Sequence, residues 1–139
     1  MKKCTFIATL LLFVSSSFGW AQTKPIRIVF DVTSKDTLIH QATVRHVSLE
    51  SAAHPEALLE IVIYGGAISM VVKNKSVVAP DVLLLTANKN VSIKVCEETM
   101  KRYKIDKSQL LTGVQTVPDG ILEIVEKQGL GWGYIKEAH

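Results

Sequence analysis

The chain is poor in the residues that most enzyme chemistry uses. Two cysteines, four histidines, two tryptophans and three tyrosines are spread over 139 residues. The cysteines, Cys4 and Cys96, form no C-x-x-C pair, which argues against a thioredoxin-type dithiol centre. The histidines form no H-x-x-x-H pair. His40 and His46 fall on different faces of one helical stretch, His54 is in a turn, and His139 is the last residue. No metal site is expected from this set. G-x-G-x-x-G, Walker A and G-x-S-x-G elements are all missing, which removes the usual signs of a dinucleotide site, a P-loop or a serine hydrolase. Charge of one sign is scarce too, with 16 Lys+Arg against 13 Asp+Glu. The densest basic cluster is Lys101, Arg102, Lys104 and Lys107, without interleaved aromatics, so no nucleic-acid partner is expected. There is no internal repeat and no low-complexity tract.

The first 21 residues read as a secretory signal peptide. Lys2 and Lys3 form a basic start, Thr5–Val14 is an apolar run, and Gly19 and Ala21 supply the small residues of a cleavage site after Ala21. The run is shorter than the roughly 20 residues a membrane span needs. The expectation is a periplasmic or secreted protein, a single domain over 22–139, with no membrane span once the leader is removed. Loss of Lys2 and Lys3 leaves 14 basic residues against 13 acidic, a net charge of +1. Loss of Cys4 leaves Cys96 without a partner in its own chain. Exported domains normally use cysteines in pairs. A leftover one is a reactive thiol, a bond to another chain, or an inert buried side chain.

The rest alternates strand and helix. Ile26–Val32 is an almost wholly apolar strand, suited to burial on both faces. Thr33 or Ser34 can cap a helix over 35–53, with Leu38, Ala42, Leu49 and Ala53 on one stripe. Ala57–Tyr64 is a second strand, broken only by Glu60, and turns at Gly65-Gly66. A short helix over Ala67–Lys73 and another over Pro80–Ala87 follow. Val91, Ile93 and Val95 then alternate with Ser92 and Lys94, a strand period, and Met100 and Tyr103 resume a helical one. After a loop over Asp106–Gly113 come a strand at Val114–Val117, a helix opened by Pro118-Asp119-Gly120 and closed by Gly129, and a strand at Trp132–Lys136. Five such alternations imply parallel strands joined by crossover helices, a three-layer α/β/α sheet.

Cys96 falls where its strand ends and its helix begins. In open parallel sheets ligands bind along the carboxyl ends of the strands. That edge would collect Cys96, the turn Gly65-Gly66 and the helix start Asp119-Gly120. Backbone N–H groups at such turns and helix starts favour an anion, and both a thiolate and a persulfide are anions. Gly65-Gly66 also reads as a tight turn needing positive φ and nothing more. Glu97 and Glu98 would repel a neighbouring thiolate, so an activated Cys96 requires them to point away.

The segment Val91-Ser92-Ile93-Lys94-Val95-Cys96-Glu97-Glu98-Thr99-Met100, followed by Ile105-Asp106 and Leu110-Leu111, resembles the cysteine region of the DsrE/DsrF-like family. Thr116-Val117-Pro118-Asp119-Gly120-Ile121 and Gly131-Trp132-Gly133-Tyr134-Ile135-Lys136 are similar to its secreted single-domain branch. The resemblance implies a five-stranded parallel sheet ordered 4-3-2-1-5 and assembly into trimers or hexamers. It also implies that Cys96 matches the cysteine on which cytoplasmic sulfur-relay members carry sulfur as a persulfide. Two features depart from those members. Relatives often have His-Gly where this chain has Tyr64-Gly65, and the leader separates it from tRNA-thiolation and sulfite-reduction partners.

The expected function is a sulfur carrier using Cys96 alone, with Gly65, Gly66, Asp119 and Gly120 around the bound sulfur, no metal or organic cofactor, and a donor or acceptor protein as partner. The alternatives are a non-enzymatic module binding a small ligand or anion, and an oligomeric adaptor with Ala67–Val72, Trp132 and Tyr134 as subunit contacts.

Overall fold

The computed structural model describes residues 24–138. The expected leader, residues 1–21, lies outside the described residues, as does His139. Five strands and four α-helices follow one another: β1 Arg27–Val32, α1 Thr37–Ala53, β2 Leu58–Ile63, α2 Ala79–Thr86, β3 Val91–Cys96, α3 Glu97–Tyr103, β4 Gln115–Val117, α4 Gly120–Gly129 and β5 Gly133–Glu137. Every strand pairing is parallel and the order is β4-β3-β2-β1-β5, the arrangement that the resemblance implied.

Strand alternation divides the sheet into two unlike faces. Phe30 and Val32, Leu59, Ile61 and Ile63, and Val91, Ile93 and Val95 point to one side. There they form the main core with Ile39, Val44 and Val47 of α1, Val82 and Leu85 of α2, and Met100 of α3. The other side carries Val29 and Asp31, Glu60 and Val62, Lys94 and Cys96, by the observed register. Its apolar part is small: Val29, Val62 and Ile124 of α4, edged by Tyr64 and Trp132. The chain reaches this second face because β5 lies beside β1. The connection through α4 must cross the sheet, and a right-handed crossover in that direction lands on the opposite side.

Several local expectations shift. The cap of α1 is Asp36, not Thr33 or Ser34: its carboxylate accepts from the Leu38 N–H at 2.8 Å. Ser34 instead accepts from the Asp36 N–H. The buried stripe of α1 is Ile39, His40, Thr43, Val44 and Val47, while Leu38 and Leu49 face outward. Both stripes have helical spacing. The polar members of the inner one are affordable because they are satisfied locally, Thr43 Oγ1 on the Ile39 carbonyl and His40 Nε2 on the Ser34 carbonyl, each at 2.8 Å. The helix expected over Ala67–Lys73 is a 3-10 helix, Gly65–Val71. Ala67, Ile68, Met70, Val71 and Val72 are buried within the chain's own core rather than presented as an outward apolar face. No described helix is long and apolar enough to cross a membrane.

Candidate functional site

The site is built from strand ends. Cys96 is the last residue of β3 and the N-cap of α3, with extended backbone (φ −69°, ψ 124°) and no side-chain cap bond. The β3 alternation turns it toward the α4 face. It is 6% exposed, and it is free of any disulfide. Cys96 lines a cavity of about 440 Å³. The exits of β1 and β2 contribute Thr33, Tyr64 and Gly65. Helix α3 contributes Glu98, Thr99 and Arg102, and the start of α4 contributes Asp119 and Ile121. A larger groove of about 540 Å³ runs between α1 and α2 past Val44, Leu49 and Val77, and no cysteine lines it.

Of the five residues read from the sequence, Cys96, Gly65 and Asp119 line this cavity. Gly65 has φ +59° and gives its N–H to Thr99 Oγ1 at 3.0 Å, which ties the β2 turn to α3. Gly66 is behind the wall. A Cβ there would lie 3.1 Å from the Lys35 Cβ and 3.2 Å from the Lys35 nitrogen, so it lets the loop after β1 approach. Gly120 serves a similar close approach: an added Cβ would stand 3.2 Å from Cys96 Cβ and 3.3 Å from Val62 Cγ1. Asp119 caps α4, accepting from Ile121 N–H at 2.8 Å and Leu122 N–H at 3.2 Å. Those two donors are therefore occupied by the protein's own carboxylate.

The glutamates beside Cys96 are both engaged. Glu97 accepts from Thr116 Oγ1 at 2.7 Å and from Lys107 at 2.9 Å, and these partners hold its carboxyl below the usual range. Glu98 pairs with Lys101 at 2.6 Å, which raises the lysine.

Beneath the cavity is a polar knot absent from the sequence reading. Asp31, buried on β1, accepts from Tyr134 OH at 2.6 Å, from Tyr64 OH at 3.3 Å and from Lys136 Nζ at 3.0 Å. Lys136 also donates to Thr33 Oγ1 at 2.7 Å. Burial and the Asp31 charge push Tyr64 up to about 12. The hydrogen bond to Asp31, then burial, does the same to Tyr134, again to about 12. Both phenols thus remain neutral donors throughout the physiological range. A second knot lies further along the same face. Glu60 Oε2 accepts from Ser92 at 2.9 Å, Lys94 at 3.0 Å and Lys127 at 2.9 Å, and Lys94 also reaches Glu123 at 2.7 Å. Burial alone would lower Lys94, but the hydrogen bonds to Glu123 and Glu60 raise it. Among the described residues, no three of His, Cys, Asp or Glu are grouped so as to hold a metal ion.

Thr99, Arg102 and the Asp31 knot were not singled out by the sequence reading. One signal was available for the last: an aspartate inside an otherwise apolar strand needs a buried partner.

Comparison with known proteins agrees with this architecture. The model of the DsrE/DsrF-like family matches residues 27–136. Among solved structures the chain is similar to MTH1491 from Methanobacterium thermoautotrophicum, a protein of unknown function. The TM-score is 0.75 at 28% identity, covering 80% of this chain and 98% of that one. It is also similar to the ychN protein from E. coli, with TM-score 0.66 and 16% identity over 81% of this chain and 98% of that one. BT1422 from Bacteroides thetaiotaomicron, a conserved protein of unknown function, gives TM-score 0.64 and 12% identity over 79% and 93%. The last two likenesses are of fold alone. No curated protein matches the chain.

Proposed function

This chain belongs to the DsrE/DsrF-like family, and on that footing we propose that it is an exported sulfur carrier working through Cys96. The Cys96 thiolate attacks the outer sulfur of a sulfane donor. A bond forms between Sγ and that sulfur, the donor's S–S bond breaks, and the electron pair leaves with the donor's thiolate. A partner thiol then removes the outer sulfur by the same exchange in reverse. No oxidant, metal or organic cofactor enters the balance.

One observation carries this reading: the free thiol in the described domain lines a cavity at the carboxyl edge of the sheet, beside residues of the β1 and β2 exits and the start of α4. Glu98 lines the same cavity as Cys96 rather than pointing away, and the pairing of Glu97 with Lys107 and Glu98 with Lys101 offsets part of the repulsion that the sequence raised against a sulfur anion here. Export rests on the leader-like residues 1–21. Assembly into trimers or hexamers gains support from Ile121, Leu122 and Val125, which α4 turns outward side by side beyond what its own sheet covers.

The test is mass spectrometry of the protein after incubation with polysulfide. The expected result is one added sulfur on the Cys96 peptide, removed by dithiothreitol and missing from Cys96→Ser. Failure of wild type to gain sulfur would end the carrier reading and leave a binding module with the same fold.

A further inference from the structure

Charged groups around the Cys96 cavity are spoken for, with one exception. Glu98 is paired with Lys101, and Asp119 holds the first N–H groups of α4. Lys136, below the floor, is shared by Asp31 and Thr33. Arg102 alone among the charged lining residues makes no hydrogen bond or ion pair with any described residue. The cavity also holds an uncommitted hydroxyl proton. Thr99 is 7% exposed, and its oxygen accepts from the Gly65 N–H while no described group accepts from it in turn. A guanidinium and a buried hydroxyl, both with donors to spare, complement an anion with planar acceptor oxygens. At about 440 Å³ the cavity exceeds a bare inorganic ion and falls within the range of pockets that hold small organic molecules.

The geometry points to a low-molecular-weight hydropersulfide bearing a carboxylate as the cavity's ligand, with Arg102 gripping the carboxylate and Thr99 donating to it while the outer sulfur meets Cys96. The transfer step rests on the carrier reading; the anion grip does not. In the transfer, Cys96 Sγ bonds to the outer sulfur, the ligand's S–S bond breaks, and the ligand departs as a thiolate still carrying its carboxylate. The hydrogen stays on the transferred sulfur. Arg102 is then a specificity residue that touches the ligand rather than the reacting atoms, and a hydropersulfide without an anionic tail should transfer sulfur more slowly.

The experiment compares N-acetylcysteine hydropersulfide with its methyl ester, on wild type and on Arg102→Gln, reading sulfur gained by Cys96 over time. Wild type should favour the free acid by about threefold to fivefold, the upper end of the worth of one exposed charge pair. Arg102→Gln should lose that preference through the acid while keeping the ester rate, a pattern that misfolding cannot give. Equal preference in the two proteins would overturn the proposal. A parallel arm needs no sulfur transfer: binding of N-acetyl-S-methylcysteine and its methyl ester, followed by NMR titration. Weaker binding of the acid to Arg102→Gln by about threefold to fivefold, with the ester unchanged, supports the grip even if Cys96 gains no sulfur, and that result would sink only the carrier reading. Acid and ester binding alike to wild type would sink the grip itself.

Discussion

Asp31→Asn tests the polar knot under the cavity. The native carboxylate takes two phenolic protons and one ammonium, and both phenols are pushed up to about 12. A phenol raised above its unfolded value of about 10 is stabilised in its neutral form by folding. That stabilisation is complete below about pH 10 and is lost as pH climbs through 12. Two units would be worth about 2.7 kcal/mol for one fully buried group. Tyr134 is 43% exposed, Tyr64 is half-buried, and both lean on the same carboxylate. Solvent screening and this sharing reduce the pair to about 1–2 kcal/mol. Asparagine keeps one acceptor oxygen but loses the charge, so Asp31→Asn should cost about 2 kcal/mol at about pH 8. Urea unfolding at about pH 8 and about pH 11.5 reads the gap between the two proteins, which should shrink by about 1 kcal/mol or more at the higher pH. Lys136 pairs with Asp31 in wild type alone, so the urea gap is assigned to the tyrosines only together with a direct reading of the phenols. Phenolate absorbance supplies the second readout: two of the three tyrosines should ionise late in wild type and earlier in Asp31→Asn. A gap that does not change with pH, with unchanged phenolate curves, would refute the argument.

Glu60 gives the next prediction. Its side chain is 2% exposed and neutralises Lys94 and Lys127, themselves only 18% exposed. Glu60→Ala should therefore destabilise by about 3 kcal/mol in urea unfolding, with Glu123 still holding part of the charge, whereas Glu60→Gln, which keeps an acceptor, should cost less than half as much. Gly113 has φ +86°, and a Cβ there would lie 2.6 Å from Thr86 Cβ. Gly113→Ala should cost about 2–4 kcal/mol, and adding Thr86→Gly, which removes that Cβ, should recover the clash relative to Thr86→Gly alone but not the strain of about 1–2 kcal/mol from the left-handed backbone. Thermal melts of the single and double variants separate the two parts.

Legibility in the sequence followed the kind of information each feature needs. The strands were readable because β2 and β3 alternate or run apolar over six residues, and the parallel sheet followed from their interleaving with helices. The position of Cys96 at a strand–helix junction was readable for the same reason. The inner face of α1 was not, because two stripes have equally good helical spacing. The choice turned on whether His40 and Thr43 could satisfy their polar atoms, which depends on the Ser34 and Ile39 carbonyls. Arg102 and Thr99 escaped notice for a related reason. In the sequence Arg102 is one more basic residue in a run of four, and only the fold sets it on the lining of the Cys96 cavity. The Asp31 knot joins residues 31, 64, 134 and 136, and no local pattern links them.

The two faces of the sheet explain why the site is where it is. One face is covered by α1, α2, α3 and the 3-10 segment Gly65–Val71, and its core is aliphatic and closed. The polar side chains that α1 buries there, His40 and Thr43, are taken up by local carbonyls. The other face has one helix, α4, for five strands, so a polar floor of Asp31, Glu60 and Lys94 is tolerable if each charge is matched. These matched charges also fix where α4 lies: Glu123 and Lys127 bind it to Lys94 and Glu60 well inside the face. The helix start is thereby held against Cys96, close enough that residue 120 has no room for a side chain without displacement. Since α4 covers the middle of the face rather than its edge, the space beyond its first turn stays open, and Cys96 looks into it. The crossover to β5 thus produces the cavity as a by-product of topology. A chain of this fold can keep that geometry while changing Tyr64, Thr99 and Arg102 to suit a different ligand.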